Sequence, residues 1–171
     1  MSLVKKWPVM AFLLVLLPGL CDAQFGRGLR ELTLSGSGSS SRQFDSGTIS
    51  GTGELGWYRT PHLEFGLRQS FNWTKYEQGS TWNGATRLYG DYHFGSGQWR
   101  PYVGASFGIA YGERSDTTLF AGPEIGLKFY VLPAAFLFVQ MEYQFLFESG
   151  ANVHGVDDDA YAYSFGAGYN F

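Results

Sequence analysis

Nine ionisable side chains alternate with apolar neighbours along this sequence: Glu31, Glu54, Glu64, Arg68, Arg87, Asp91, Glu124, Lys128 and Glu142. Two arginines and a lysine among six carboxylates can pair off, hold water or line a path for ions. Taken out of bulk water they must do one of these, because an isolated buried charge is too costly to keep. Catalysis needs more, namely a nucleophile with its base in reach. The three histidines read His62-Leu-Glu, His93-Phe-Gly and His154-Gly-Val, and none adjoins a nucleophile. His93 shares the parity of the charges and reads as a hydrogen-bonded filler. His154, near Asp157-Asp158-Asp159, leaves a loop-borne acyltransferase site as the catalytic alternative. The three aspartates could hold a divalent cation, although a solvated acidic loop is the plainer reading. Gly51-Thr-Gly-Glu-Leu-Gly56 matches a dinucleotide fingerprint by letter only, since no strand leads into a helix there. No metal, cofactor or catalytic residue is assigned, and Asn72-Trp73-Thr74, a glycosylation match at a strand end, is given no role.

The elements that carry the charges are period-two segments. Eight are expected, at residues 29–38, 47–57, 62–74, 82–94, 100–111, 119–131, 135–147 and 161–171. In 62–74, Leu63, Phe65, Leu67, Phe71 and Trp73 face away from Glu64, Gly66, Arg68, Ser70 and Asn72, with Gln69 a misfit on the apolar face. In the last segment Tyr161, Tyr163, Phe165, Tyr169 and Phe171 oppose Ala162, Ser164, Gly166, Gly168 and Asn170. All nine charges fall on the polar face. A soluble barrel or sandwich would place charges outside and apolar side chains inside, so the shared parity points to an eight-stranded antiparallel up-and-down β-barrel turned inside out, with hydrocarbon around it. On a lipid face each mid-strand arginine would cost about 2–4 kcal/mol.

Connections Tyr58–Pro61, Gly95–Trp99 and Leu132–Ala134 read as short turns, and Ser39–Ser46, Lys75–Thr81, Gly112–Thr118 and Glu148–Ala160 as longer polar loops. That alternation puts both chain ends on the short-turn side, the periplasm of an outer-membrane barrel. Aromatics fall in two girdles: Trp57, Tyr58, Phe94, Trp99, Phe129, Tyr130, Tyr169 and Phe171 at the inner rim, and Trp73, Tyr76, Trp82, Tyr111, Phe147 and Tyr161 at the outer. Two features conflict with the pattern. Pro123 lies mid-strand, which calls for a bulge near Gly122-Pro123, and Phe136, Phe138 and Leu146 point inward as lumen filling.

Composition agrees with alternation. Aromatics reach 18%, glycine counts 24 and charged residues only 16%, at a mean hydropathy of −0.12. Lys5-Lys6, an apolar run from Val9 to Leu17 and small residues through Ala23 read as a secretory signal, cleaved after residue 23. The run falls short of the roughly 20 residues a spanning helix needs. An acylated Cys21 is the alternative, set aside because Leu20 precedes it. Residues 24–171 then form one domain without cysteine. Losing Lys5, Lys6 and Asp22 leaves 10 basic against 14 acidic residues, which excludes a basic nucleic-acid face.

With these features the chain resembles the small eight-stranded outer-membrane barrels of the OmpA/OmpX type, over the whole of residues 24–171. The resemblance implies a place in the outer membrane among lipid and lipopolysaccharide, and it implies that the closing aromatics Tyr169 and Phe171 are read by the barrel assembly machinery. Members of that class serve as structural anchors, adhesion surfaces, narrow pores or lipid-modifying enzymes. Barrel deacylases of this size carry a His-x-Ser pair, which is absent here, and the loops are shorter than in strongly protruding adhesins. The expected role is structural or surface-interacting, through an extracellular ligand of the outer loops, with a lumen plugged by Arg68, Arg87, Glu124, Glu142, Glu54, Glu64, Asp91 and Lys128. A low-conductance pore is the alternative and a lipid-modifying enzyme the third. Arg68, Arg87, Glu124 and Glu142 are expected near mid-height, with Glu31, Glu54, Glu64, Asp91 and Lys128 lower.

Overall fold

A computed structural model of the chain describes residues 26–41, 46–76, 79–113, 117–147 and 160–171. The expected signal segment, His154 and Asp157-Asp158-Asp159 lie outside the described residues. Eight strands, β1 (Arg30–Ser40), β2 (Gly47–Tyr58), β3 (Leu63–Tyr76), β4 (Gly79–His93), β5 (Trp99–Gly112), β6 (Thr118–Tyr130), β7 (Ala135–Phe147) and β8 (Ala160–Asn170), pair in sequence order into a closed antiparallel barrel. Alternation decides which face turns in. Leu34, Ile49, Phe65, Leu88, Phe107, Ile125, Val139 and Phe165 stand exposed on the outer wall, and the buried set is mostly polar or charged. Such a surface gains nothing in water and suits a bilayer.

The start of β1, the end of β8 and the connections at 59–62, 94–98 and 131–134 share one end of the barrel, here the turn end; the other is the loop end. Arg30 and Phe171 exchange backbone hydrogen bonds of 2.9 Å in both directions and close the turn end between β1 and β8. Gly95, at φ 72°, takes a left-handed turn conformation between β4 and β5 that a side chain would strain.

Two expectations need correction. The expected Lys75–Thr81 loop is mostly ladder, since pairing continues through Lys75–Ser80 to Tyr76–Gly79. Polar residues read as loop because they lack an apolar face, but beyond a hydrocarbon belt a hairpin needs none. Connection length therefore alternates less than the sequence suggests. The bulge at Pro123 is also missing. Pairing of β6 with β5 runs unbroken through Gly122 and Pro123, and pairing with β7 resumes in the same register after a gap at those two residues. Gly122 makes this possible: its bare Cα lies against the Tyr143 carbonyl, where a Cβ could not fit.

Gln69, the misfit, is accommodated outside. Its amide nitrogen donates to Tyr111 Oη at 3.0 Å, Thr86 Oγ1 donates to its amide oxygen at 2.7 Å, and Thr86 and Tyr111 lie 3.2 Å apart. The Ser70 carbonyl accepts the second amide proton at 3.1 Å, so that no donor of the three hydroxyl and amide groups on the outer wall is left unsatisfied.

Candidate functional site

The inward side chains form two layers. Near the turn end, the start of β1, end of β2, start of β3 and end of β6 bring Glu31, Tyr58, Glu64 and Lys128 together. Lys128 Nζ lies 2.5 Å from Glu31 Oε1 and 2.9 Å from Glu64 Oε2, and it donates to Tyr58 Oη at 3.2 Å. An ammonium has three protons, and all three are used. Tyr58 Oη donates onward to Glu31 Oε2 at 2.9 Å, Tyr89 Oη to Glu64 Oε1 at 3.1 Å, and His93 Nε2 lies 2.8 Å from Glu64 Oε2. Arg100 donates to the Pro61 carbonyl and lies over the Tyr58 ring, 5.2 Å from its centre. Aromatic faces fill the rest, with Phe136 and Tyr102 ring centres 5.1 and 5.4 Å from Lys128 Nζ. These rings fit because glycines lie beneath them: Gly66 under Tyr89, Gly126 under Tyr102 and Gly168 under Phe136, each where a Cβ would collide with the ring.

The second layer centres on Arg68. Its Nε lies 2.8 Å from Glu54 Oε1 and its Nη1 2.9 Å from Glu124 Oε2, while Nη2 donates to Glu124 Oε1 and Gln140 Oε1, both at 3.2 Å. Arg87 Nη1 lies 2.6 Å from Glu142 Oε2, which is 3.7 Å from Arg68 Nη1, and Ser106 donates to the other Glu142 oxygen. On the ladder, Arg68 stands opposite Arg87 and Glu124 opposite Glu142. Each like-charged pair is destabilising along the sheet. Glu54 stands beside Arg68 on the other ladder, and across the lumen the arginines meet Glu124 and Glu142, so that the fork geometry of Arg68 serves two carboxylates at once.

Several residues fall elsewhere than expected. Glu54, expected lower, belongs to the Arg68 layer. Asp91 is buried opposite Glu64 on the ladder and has no cation partner among the described residues. Tyr58 and Tyr130, expected at the inner rim, are lumen residues at 2% and 0% exposure; their parity, even-numbered like Glu54 and Lys128, was the available signal. Tyr130 packs with Phe136 and Phe138 in the apolar part of the lumen. Arg100, Tyr89 and Tyr102 carry no signal among the charges, being uncharged or at a strand end. Ser106 and Gln140 read from parity as inward, but not as partners of the charges that they contact. Tyr169 and Phe171 lie exposed beside the closure, with Tyr169 between Leu32 and Ala135 on the ladders.

Glu64, Asp91 and His93 approach closely enough to share a divalent ion. Lys128 already occupies Glu64 there, and its charge opposes a cation. His93 is fully enclosed and reaches only Glu64 and, at 3.5 Å, Tyr58 Oη, so it offers no face to a substrate. Above Arg68 and Arg87 lies a cavity of about 120 Å³.

The barrel resembles two solved structures over most of its length. The N-terminal β-barrel domain of Pseudomonas aeruginosa OprF matches with a TM-score of 0.58 at 20% identity, covering 86% of this chain and 100% of that one. The fold is that of a small outer-membrane barrel. The outer membrane protein OprG of Pseudomonas aeruginosa matches equally well in shape, TM-score 0.58 at 12% identity, over 85% of this chain and 97% of that one. At such identities the likeness is one of fold. No family model matches the sequence, and no curated protein does. What this barrel carries in its lumen is therefore read from its own residues.

Proposed function

We propose that the chain is an outer-membrane protein of the Gram-negative envelope, cleaved after residue 23, with both termini periplasmic and a structural or surface-interaction role. Its lumen is plugged rather than conducting. The observation that supports this is the Lys128 layer: every ammonium proton is used, two carboxylates are held, and aromatic rings fill the remaining width. An eight-stranded barrel has room for side chains and little else. In this reading the loops meet any extracellular ligand, lipid and lipopolysaccharide surround the apolar wall, and Tyr169 and Phe171 are the signal read by the assembly machinery.

Planar-bilayer recording of the refolded protein tests the plug. No steady channels are expected; channels that Arg68→Ala or Glu124→Ala abolish would overturn it. A narrow pore is the second reading, favoured by the cavity above Arg87 and by Glu142, which lies within reach of both arginines and could exchange between them. Placement in the membrane is tested separately. Outer-membrane fractions run on a gel should show a mobility shift between boiled and unboiled samples, and a soluble protein without the shift would refute the membrane reading. Altered lipid A acylation on overexpression, lost in His154→Ala, would restore the enzyme reading.

A further inference from the structure

The barrel is not equally closed all round. Seven of the eight strand junctions carry ten to fourteen residue pairs. The junction of β1 with β8 carries five, Glu31 to Ser35 against Asn170 to Gly166. Continued in register, Gly36 to Ser40 would face Phe165 to Tyr161, and none of these pairs forms. The β1 half concerned is Gly36-Ser-Gly-Ser-Ser40, exposed throughout and without an apolar side chain to cover the gap. Main-chain groups that lack a partner are tolerated at membrane depth only where they line protein or a wet cavity.

Such a cavity is present. A notch of about 210 Å³ opens between the two strands. It is lined by inward residues (Ser37, Thr52, Ser164) and by outward ones (Gly36, Tyr163, Phe165), so it lies within the wall itself. Thr52, Tyr163 and Ser164 also line the lumen cavity above Arg87, which sets the two spaces side by side. On the outside Tyr163, 75% exposed, edges a groove of about 600 Å³ bounded by Val103, Ile125, Leu127, Val139 and Met141. The succession from lumen to lipid is thus charged and hydroxylated, then hydroxylated and aromatic, then apolar. Toward the turn end the Lys128 layer blocks the axis.

We propose, given the membrane reading above, that the open half of the β1–β8 seam is a lateral binding site for an uncharged, hydroxyl-bearing amphiphile with one alkyl chain. The polar end occupies the cavity beside Thr52 and Ser164, where hydroxyls and unpaired strand edges supply donors and acceptors. The tail leaves past Tyr163 to the apolar groove. An anionic head is disfavoured: Arg68 and Arg87 already answer Glu54, Glu124 and Glu142, so no cation is left over for it.

The test uses the full chain with Cys21→Ser, refolded into phosphatidylcholine vesicles, and a dodecyl glycerol ether bearing a photoreactive diazirine next to its head. Labelling is expected at Thr52 and Ser164. Closing the seam with an oxidised disulfide in Ser37→Cys/Ser164→Cys should lower the Thr52 labelling about tenfold, the equivalent of 1.4 kcal/mol of binding, with recovery on reduction. Ser164→Trp, which fills the notch without a crosslink, should lower it by a similar factor while the gel shift persists. Labelling confined to the rim residues Trp73 and Trp82, or unchanged in the oxidised and the Trp variants, would overturn the site. Loss of the gel shift in the unsubstituted protein would instead count against the membrane reading.

Discussion

Lys128 and Arg68 each hold carboxylates inside the barrel, yet the layers around them differ in what fills the space between the charges. Around Lys128 the inward positions are Tyr58, Tyr102, Tyr130 and Phe136, and these side chains leave little room for water. Around Arg68 and Arg87 the neighbours toward the loop end are Thr52, Ser70, Ala162 and Ser164, and a cavity remains. Charge type is the same in both. The size of the uncharged neighbours decides whether a buried ion pair is locked in a dry plug or left beside water. Removing one partner of a dry pair strands the others; removing one beside a cavity lets water replace it.

Lys128→Met should therefore have the largest effect. It leaves Glu31 and Glu64 without their cation in a dry layer, at a cost of about 3–5 kcal/mol, read as a lower urea midpoint for unfolding of the refolded barrel. Arg68→Met should cost less, about 1–3 kcal/mol, because water from the cavity above can solvate Glu54 and Glu124. Equal losses in the two variants would erase the distinction between a dry and a wet layer. Gly66→Ala tests the ring packing that keeps the turn-end layer dry: about 1–3 kcal/mol is expected from forcing the Tyr89 ring aside, and Tyr89→Leu in the same chain should recover part of it. Full additivity in that double-mutant cycle would refute the contact. Outside the barrel, Gln69→Leu should change stability least, by about 0.6 kcal/mol, since the hydrogen-bonded ring it belongs to lies in lipid and Thr86 and Tyr111 can still bond each other. A loss as large as that of Lys128→Met would move the weight of stabilisation from the lumen to the wall.

The two layers were legible in the sequence to different depths. Parity along each strand identifies which residues point inward, because a strand's faces alternate whatever its neighbours do. That was enough for strand number, for the lumen charges and for Gln69 as a misfit. It was not enough for partners. Arg68 meets Glu124 across the lumen, and which heights face each other there follows from barrel stagger, a property no single strand encodes. Neighbour pairing finds one partner only: the ladder sets Arg68 beside Glu54, but also beside Arg87, and sets Glu124 beside Glu142. Tyr58 and Tyr130 were read by residue type as rim aromatics although their parity placed them inside. Lys75 to Thr81 looked like a loop because a ladder beyond the membrane belt has no apolar face to declare it. The shortened β1–β8 junction had one sign in the sequence, the Gly-Ser run of β1, which alone is indistinguishable from a polar loop entrance.

Two contacts, Arg68 with Glu54 and His93 with Glu64, join neighbouring strands, but the other ion pairs span long stretches of chain. Glu31 and Lys128 are 97 residues apart, Glu64 and Lys128 are 64 apart, and Arg68 and Glu124 are 56 apart. None can form within a hairpin, so each waits until distant strands have been brought round, and such long-range contacts come late and together. A half-built sheet would carry Lys128, Arg87 and most of its carboxylates without their partners, and hydrocarbon would reject it. The network thereby couples closure to insertion: Glu31 of β1 meets Lys128 of β6, and Arg68 of β3 meets Glu124 of β6, only once the sheet has come round on itself, and a sheet with those pairs made is the one that suits hydrocarbon.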